Sequence, residues 1–326
     1  MKQREFPLDR GVIGRRAFIG GALLTGAALR LSARPADAAA QALPMRSEPK
    51  AMPAQRRWTP PPPPVPAREG VAPLSGANLW FWDTGGEGEP IVLLHPSTGS
   101  ADVWGYQQPV FAKAGYRVIA YSRRGHKRSD GGAPDRLGTG VDDLRELLDF
   151  LKVKRVHLVG SASGGFMVPD FAISHPDRLL SMTIACSQGG VTEPVYRAAV
   201  QRLNPDTFST MPASFRELGP TYRAGNPSGV EQWATLESSS RSGTQRVRQP
   251  SKNRLLWADI EQIRSPALVF TGGADLYMPV PLMLDYASHL KNVETAVLSE
   301  SGHSGYWEQP EAFNALVLDF VRRHPA

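Results

Sequence analysis

A nine-residue segment with three glycines, at 157–165, constrains the fold more than any other part of the chain. It reads His-Leu-Val-Gly-Ser-Ala-Ser-Gly-Gly. The apolar start predicts a buried strand, Gly160 predicts a tight turn, and Ser163 stands where a helix would begin. A strand that turns directly into a helix is typical of a sheet covered by helices. We call residues 160–164 the elbow.

The elbow matches the pattern Gly-x-Ser-x-Gly except at its centre. In chains with that pattern, the sharp turn lifts a nucleophilic serine hydroxyl out of the sheet. Here the central residue is Ala162, so a methyl group stands where the oxygen is expected. The glycines at 160, 164 and 165 fix the register of the match. Pro169 is expected to make the start of the next helix irregular, since a proline removes a backbone hydrogen bond.

Apolar segments on both sides of the elbow alternate between two patterns. Residues 141–151 repeat apolar side chains every three to four positions, which is typical of a helix with one buried face. Alternation of helices with apolar strands predicts an α/β fold, with a mostly parallel sheet and helices on both faces. The predicted strands are 78–84, 91–95, 116–121, 156–159, 181–186, 267–270 and 293–298.

Residues 189–256 interrupt this alternation. The segment is polar and contains a serine-rich stretch at 237–244 that we interpret as flexible. Aromatic residues occur in the flanks of that stretch, and large aromatic side chains favour burial. We therefore interpret 189–256 as a helical cap inserted over the site. Caps of this kind exclude water and select the substrate.

The N-terminal region carries an export pattern. Residues 1–39 contain Arg15-Arg16, then an apolar run from Phe18 to Leu31, and end near an Ala-x-Ala cleavage shape at 36–38. The paired arginines resemble a twin-arginine signal, which predicts recognition by the twin-arginine export machinery and a periplasmic or secreted bacterial location. The run is shorter than the roughly 20 residues of a membrane span, so no stable span is predicted.

Composition separates this region from the rest of the chain. Residues 40–70 hold nine prolines and predict a linker, which leaves 71–326 as the folded domain. Residues 1–70 contain 12 of the 37 basic and 5 of the 31 acidic residues, so the net charge of +6 belongs to the N-terminus. A nearly neutral domain argues against a nucleic-acid partner. The single cysteine, Cys186, excludes an internal disulfide. The seven histidines are dispersed, and we predict no metal and no cofactor.

Motifs beyond the elbow resemble those of the α/β-hydrolase superfamily, here in a form with alanine at the nucleophile position. The sequence His95-Pro-Ser97-Thr-Gly99 follows a predicted strand and is similar to the family's oxyanion loop. The resemblance implies that the backbone N–H groups of Ser97 and Ser163 stabilise an oxyanion. The segment 121–129 resembles the family's Arg-Gly turn, whose arginines we interpret as structural.

Two further loops carry the remaining members of the family's triad. Asp275 lies in Thr-Gly-Gly-Ala-Asp after a predicted strand, and His303 lies in Ser-Gly-His after the last one. The order elbow, acid, histidine is that of the superfamily. The resemblance implies that Asp275 fixes the orientation of His303, which then accepts a proton. Each residue alone would mean little, but three motifs in order favour catalysis.

Ala162 leaves three hypotheses open. In the first, Asp275 and His303 form a general-base dyad that acts on a small ester, lactone or other carbonyl substrate without a serine nucleophile. The same dyad could serve a lyase, an isomerase or a cofactor-free oxygenase. In the second, a neighbouring hydroxyl at Ser161 or Ser163 replaces the missing one. In the third, the protein is a catalytically silent ligand-binding protein. Retention of both dyad residues favours an enzyme with a small-molecule substrate.

Overall fold

A computed structural model of the chain describes residues 59–243 and 247–326. The predicted export signal, 1–39, and the linker up to residue 58 lie outside the described residues.

Eight strands form one sheet, in the order β1-β2-β4-β3-β5-β6-β7-β8. The first two strands pair with each other antiparallel, and β2 pairs antiparallel with β4. The pairs from β4 through β3 to β8 are all parallel. The strands are β1 Arg68–Leu74, β2 Ala77–Asp83, β3 Pro90–Leu94, β4 Arg117–Tyr121, β5 Val156–Ser161, β6 Leu179–Ala185, β7 Ala267–Gly272 and β8 Val293–Leu298.

Helices connect the strands and cover the sheet. They are α1 Gln108–Lys113, α2 Gly140–Phe150, α3 Gly164–Ser174, α4 Pro194–Gln201, α5 Ala213–Glu217, α6 Pro220–Gly225, α7 Pro227–Ser238, α8 Trp257–Ile260, α9 Val280–Ser288, α10 Gly305–Glu308 and α11 Pro310–Arg322. Buried side chains of α2, α3 and α9 form one apolar cluster with the sheet, and those of α1 and α11 form a second. The two clusters lie on opposite faces because neighbouring residues of a strand, such as Val92 and Leu93, belong to different ones. The predicted α/β fold is therefore confirmed.

The sheet order brings the three predicted site loops to one edge. The elbow follows β5, the loop of Asp275 follows β7, and the loop of His303 follows β8. These strands run parallel within one half of the sheet, so their carboxyl ends meet on the same side. Ligands of open α/β sheets bind outside that edge.

Helices α4 to α7 lie between β6 and β7, inside the range expected for the cap. The structure describes residues 237–243 of the serine-rich stretch. Its first residues end α7, and the Lys127 N–H donates to the Ser240 carbonyl at 2.8 Å. The Ser242 hydroxyl donates to the His126 carbonyl at 2.7 Å. Ser240 and Ser242 are thus bonded to the backbone of another part of the chain.

The domain begins earlier than the sequence indicates. Arg68–Gly70, expected in the linker, lie in β1 and pair with β2. Val65 exchanges two hydrogen bonds with the Gln108 side chain, at 3.0 and 2.8 Å. This strand is not evident from the sequence because several prolines lie directly before it.

Pro169 does not delay the helix that follows the elbow. Helix α3 begins at Gly164, two residues after the elbow centre, and continues through Pro169 to Ser174. The expectation of an irregular start is wrong. Packing decides the outcome, since Val168 and Phe171 on either side of the proline are fully buried in the core.

Candidate active site

The elbow has the strained backbone expected of a sharp strand-to-helix turn. Ala162 has a φ of 52°, in the left-handed region that disfavours residues with a Cβ atom. Holding an alanine there costs about 1–2 kcal/mol. The Ala162 N–H donates to the Ala185 carbonyl at 3.0 Å, and its carbonyl accepts the Ser187 hydroxyl at 2.6 Å. The turn therefore persists although it presents a methyl group.

Two glycines of the elbow are required by close approach. A Cβ atom on Gly160 would lie 2.6 Å from the Gly164 carbonyl oxygen. A Cβ atom on Gly164 would overlap the Leu94 carbonyl. These contacts let the turn sit between β5, α3 and the end of β3.

Asp275 and His303 are joined by a buried hydrogen bond. The His303 Nδ1 atom lies 3.0 and 2.9 Å from the two Asp275 carboxylate oxygens. The same carboxylate accepts the N–H groups of Tyr277 and Met278 at 2.8 and 3.0 Å and the Thr271 hydroxyl at 3.0 Å. Four groups thus fix the acid, and the acid fixes the imidazole. The Nε2 atom of His303 has no partner among the described residues and is left for a ligand.

The surroundings shift both members of the pair toward their charged forms. Burial raises the pKa of Asp275, but the His303 charge and the hydrogen bonds outweigh burial and lower it. Burial lowers the pKa of His303, but Asp275 and then Glu217 outweigh it and raise it above 6.5. The histidine is therefore a stronger base than a free imidazole.

The predicted oxyanion loop, 95–99, is held from several directions. His95 is fully buried, and its Nε2 accepts the Arg123 N–H at 3.0 Å. The His126 Nδ1 atom lies 2.7 Å from the Gly99 carbonyl oxygen. Arg241 donates to the Ser97 carbonyl at 2.6 Å. The N–H groups of Ser97 and Ser163 make no hydrogen bond within the described residues, so both are available to an incoming oxygen.

Glu217, at the end of α5, links the inserted segment to the loop of His303 and to the predicted oxyanion loop. Its carbonyl accepts the N–H groups of His303 and Ser304 at 2.7 and 3.1 Å. Its carboxylate accepts the Thr98 hydroxyl at 2.8 Å, and burial raises its pKa. Sequence analysis did not identify Glu217, because no motif surrounds it. Its burial, which distinguishes it from other acidic residues of the segment, is visible only in the structure.

Glu308 holds the histidine loop against the cap. Its carboxylate accepts the N–H groups of Gly302 and Gly219 at 2.9 and 2.7 Å. A Cβ atom on Gly302 would overlap the Gly219 nitrogen, so the two segments touch through backbone. Burial raises the pKa of Glu308 to about 7. The group is a buried carboxyl that becomes charged near neutral pH.

Replacement of Glu308 by glutamine is expected to flatten the dependence of stability on pH. The folded-state pKa of about 7 exceeds the ordinary value of 4.5, so this carboxyl contributes stability below pH 4.5 that is lost as the pH rises through 7. The loss is on the order of 2–3 kcal/mol. Urea unfolding at pH 5 and pH 8 measures it in wild type and Glu308→Gln. The exposed Glu311→Gln serves as control, and an unchanged pH dependence in Glu308→Gln contradicts the expectation.

The serines beside Ala162 are occupied or enclosed. The Ser163 hydroxyl accepts a hydrogen bond from Arg123 at 2.8 Å. Ser161 is 1% exposed, and its hydroxyl has no hydrogen-bond partner. In the described part of the chain, neither hydroxyl bonds to His303. This geometry weighs against a neighbouring serine as nucleophile.

The two arginines of the 121–129 turn differ in their surroundings. Arg124 forms a buried ion pair with Asp143, at 2.7 Å, and also bonds to the Ser75 carbonyl. It is structural, as the sequence indicates. Arg123 has no carboxylate within ion-pair distance among the described residues, and its Nε atom is buried without a partner. Its interpretation as structural does not account for that charge.

Within residues 59–243 and 247–326, no three side chains of the metal-ligating types are grouped to hold a metal ion. The same residues contain no helix with the length and apolarity of a membrane span.

Comparison with known proteins agrees with this geometry. The sequence pattern of the alpha/beta hydrolase family matches residues 91–316. The chain belongs to this family of hydrolases.

The chain is similar to several proteins named as hydrolases or lactone-degrading enzymes. It is 31% identical over 273 residues, 75% of this chain and 91% of the relative, to a 2-hydroxy-6-oxononadienedioate/2-hydroxy-6-oxononatrienedioate hydrolase of Paraburkholderia phymatum. It is 27% identical over 272 residues, 75% and 92% of the two chains, to a 2-hydroxy-6-oxo-6-phenylhexa-2,4-dienoate hydrolase of Comamonas testosteroni. An N-acyl homoserine lactone degrading enzyme of known structure has 26% identity and a TM-score of 0.62, with 77% of this chain and all of that one covered. The enol-lactonase of Burkholderia xenovorans, 20% identical with a TM-score of 0.61 over 78% of this chain and all of that one, shares the fold.

Proposed function

We propose that this hydrolase cleaves a small ester, lactone or related carbonyl compound by general-base catalysis, without a serine nucleophile. The observation that carries the proposal is the intact hydrogen bond between His303 and Asp275 beside an elbow that lacks its oxygen. A buried acid-histidine pair serves proton transfer. Relatives named as hydrolases of oxo-dienoates, together with the lactone-degrading neighbour, support a carbonyl substrate.

The chemistry would proceed in two steps. Nε2 of His303 removes a proton from water while the water oxygen attacks the carbonyl carbon, and the carbonyl electron pair moves to oxygen. The N–H groups of Ser97 and Ser163 stabilise that oxyanion. The intermediate then collapses, the leaving-group bond breaks, and the imidazolium returns its proton to the leaving oxygen. Asp275 stays charged throughout and stabilises the imidazolium.

Intact-protein mass spectrometry during turnover tests the absence of a covalent intermediate. A panel of lactones and esters of small acids is incubated with the wild-type protein, and products are measured by liquid chromatography. We expect hydrolysis of at least one compound, no mass increase on the protein, and no labelling by a fluorophosphonate. Hydrolysis accompanied by an acyl adduct contradicts the proposal, as does the absence of hydrolysis across the panel.

The pH dependence of kcat/KM is expected to reflect the raised pKa of His303. A general base must be neutral, so activity rises with pH through an apparent pKa above 6.5. Asp275→Asn removes the charge that raises this pKa. The rise of kcat/KM is therefore expected to occur about one pH unit or more lower. The same change is expected to lower kcat by about 10²–10⁴-fold.

The exposed Asp285→Asn on α9 is the matched control for that profile. Its pH dependence of kcat/KM and its kcat are expected to equal those of the wild type. If the apparent pKa of the kcat/KM profile is the same in Asp275→Asn as in the wild type, the proposed role of the dyad is contradicted.

We propose that the chain is exported through the twin-arginine pathway. The paired arginines at 15 and 16 and the Ala-x-Ala shape at 36–38 support this. Expression in a bacterium with that pathway, followed by cell fractionation, tests it. We expect shortened protein outside the cytoplasm for wild type and retained full-length protein when both arginines are lysine. Equal distribution of the two contradicts the proposal.

A further inference from the structure

A cavity of about 400 Å³ opens beside the elbow. Both residues with proposed oxyanion N–H groups, Ser97 and Ser163, line it. Four arginines also line it: Arg123 and Arg124 come from the turn after β4, and Arg241 and Arg248 come from the cap region. The cavity therefore adjoins the two residues with the proposed oxyanion donors, and its polar wall is rich in guanidinium groups.

The acidic side chains at the cavity, Asp170 and Asp143, already have hydrogen-bond or ion-pair partners. Asp170 lines the cavity, but its carboxylate accepts the N–H groups of Lys252 and Asn253 at 2.8 and 3.0 Å. The fourth arginine of the wall, Arg124, is neutralised by Asp143. Arg123 has no carboxylate within ion-pair distance among the described residues, so the cavity wall holds a positive charge that no acidic side chain balances.

Arg123 is the most informative of these groups. Its Nη2 atom donates to the His95 carbonyl and the Ser163 hydroxyl at 2.9 and 2.8 Å, both neutral acceptors. Its Nε atom is buried and has no partner. Burial lowers the pKa of Arg123 only to about 10, so the group stays charged at neutral pH. A partly buried charge without a counter-ion is unfavourable unless a ligand supplies the opposite charge.

Two arginines touch the residues that would hold the oxyanion. Arg123 bonds to the side chain of Ser163, and Arg241 bonds to the carbonyl of Ser97 at 2.6 Å. An anion between these guanidinium groups would lie within a few bonds of the attacked carbonyl. Phe166 and Met167 form an apolar part of the same wall and suit a hydrocarbon group.

We propose that the arginine cavity binds a carboxylate of the substrate, which makes the substrate a small carboxylic acid with its reactive carbonyl a few bonds away. The planar guanidinium fork matches a carboxylate with two parallel hydrogen bonds. The inference rests on the proposed function for the identity of the ligand as substrate, but the binding of an acid does not require turnover.

Calorimetric titration of the full chain with two isosteric probes tests the inference. Phenylacetate carries the carboxylate, and phenylacetamide is its neutral counterpart. We expect phenylacetate to bind at least about tenfold more tightly, with an affinity that falls as potassium chloride is added. Arg123→Gln and the exposed Arg248→Gln are each expected to remove most of that preference. The exposed Arg254→Gln, outside the cavity, is the matched control and is expected to retain it.

Several outcomes would overturn the inference. They are equal affinity for the two probes, an unchanged preference in both cavity variants, and inorganic phosphate that binds as tightly as phenylacetate. Arg248 is exposed, so its variant remains informative if Arg123→Gln does not fold. Preference for the acid without hydrolysis of any panel compound supports the cavity and contradicts the proposed function. Hydrolysis of a panel compound without a preference for the acid supports the proposed function and contradicts the arginine cavity as a carboxylate site.

Discussion

Replacement of His303 by alanine is expected to lower kcat/KM for the hydrolysed panel compound by about 10²–10⁴-fold. The imidazole is the proposed proton acceptor, and the only other polar groups proposed to touch the reacting atoms are backbone N–H donors. Loss of the ring also leaves the buried Asp275 carboxylate without its main partner. Steady-state kinetics on purified protein measures the effect, and added imidazole is expected to restore part of the activity in the variant.

The controls separate a catalytic role from a structural one. His289→Ala removes a histidine that bonds to Glu261 and stacks on Trp257, and it is expected to keep wild-type kinetics. His303→Gln keeps a polar side chain of similar length if the alanine variant is unstable. Circular dichroism verifies the fold of each. Activity in a folded His303→Ala protein that equals the wild type contradicts the dyad.

Replacement of Ala162 by serine is expected to create a nucleophile. The backbone at 162 already has the left-handed conformation of the turn, and serine adds only an oxygen to the methyl group. The hydroxyl would face the base that the loops after β7 and β8 supply, which completes a triad. We expect labelling by a fluorophosphonate, an acyl adduct in the mass spectrum, and a kcat at least about 100-fold higher on simple esters.

Ala162→Gly is the matched control for that gain. Glycine tolerates the positive φ at least as well as alanine and supplies no oxygen. It is expected to remain unlabelled and to keep wild-type kinetics within a few-fold. A folded Ala162→Ser protein that resists the fluorophosphonate would show that position 162 does not face His303. Labelling of the wild-type protein by the fluorophosphonate would make a neighbouring serine a candidate nucleophile again.

Local pattern was sufficient to predict the elbow, the loops of Asp275 and His303 and the alternation of strands and helices. These features depend on residues adjacent in the chain, and the order of parallel strands then places their loops together. The hydrogen bond between Asp275 and His303 spans 28 residues, but the topology alone makes it expected.

Contacts between distant segments were not predictable in this way. Glu217 reaches Thr98 across 119 residues, and Arg241 reaches Ser97 across 144. Neither residue belongs to a motif, and the fold alone does not tell which cap side chain will meet which loop. The lack of a carboxylate partner at Arg123 is likewise a property of its surroundings, since the neighbouring Arg124 pairs with Asp143.

The position of Glu217 bears on how this enzyme could change its specificity. In a modular design, the segment that chooses the substrate can be exchanged while the reaction machinery stays intact. Here one residue of that segment contacts the backbone of His303 and the side chain of Thr98. A graft of a foreign cap would therefore disturb the proposed general base and the proposed oxyanion loop together. Altered selectivity is better sought by point substitutions that spare residues 217–219.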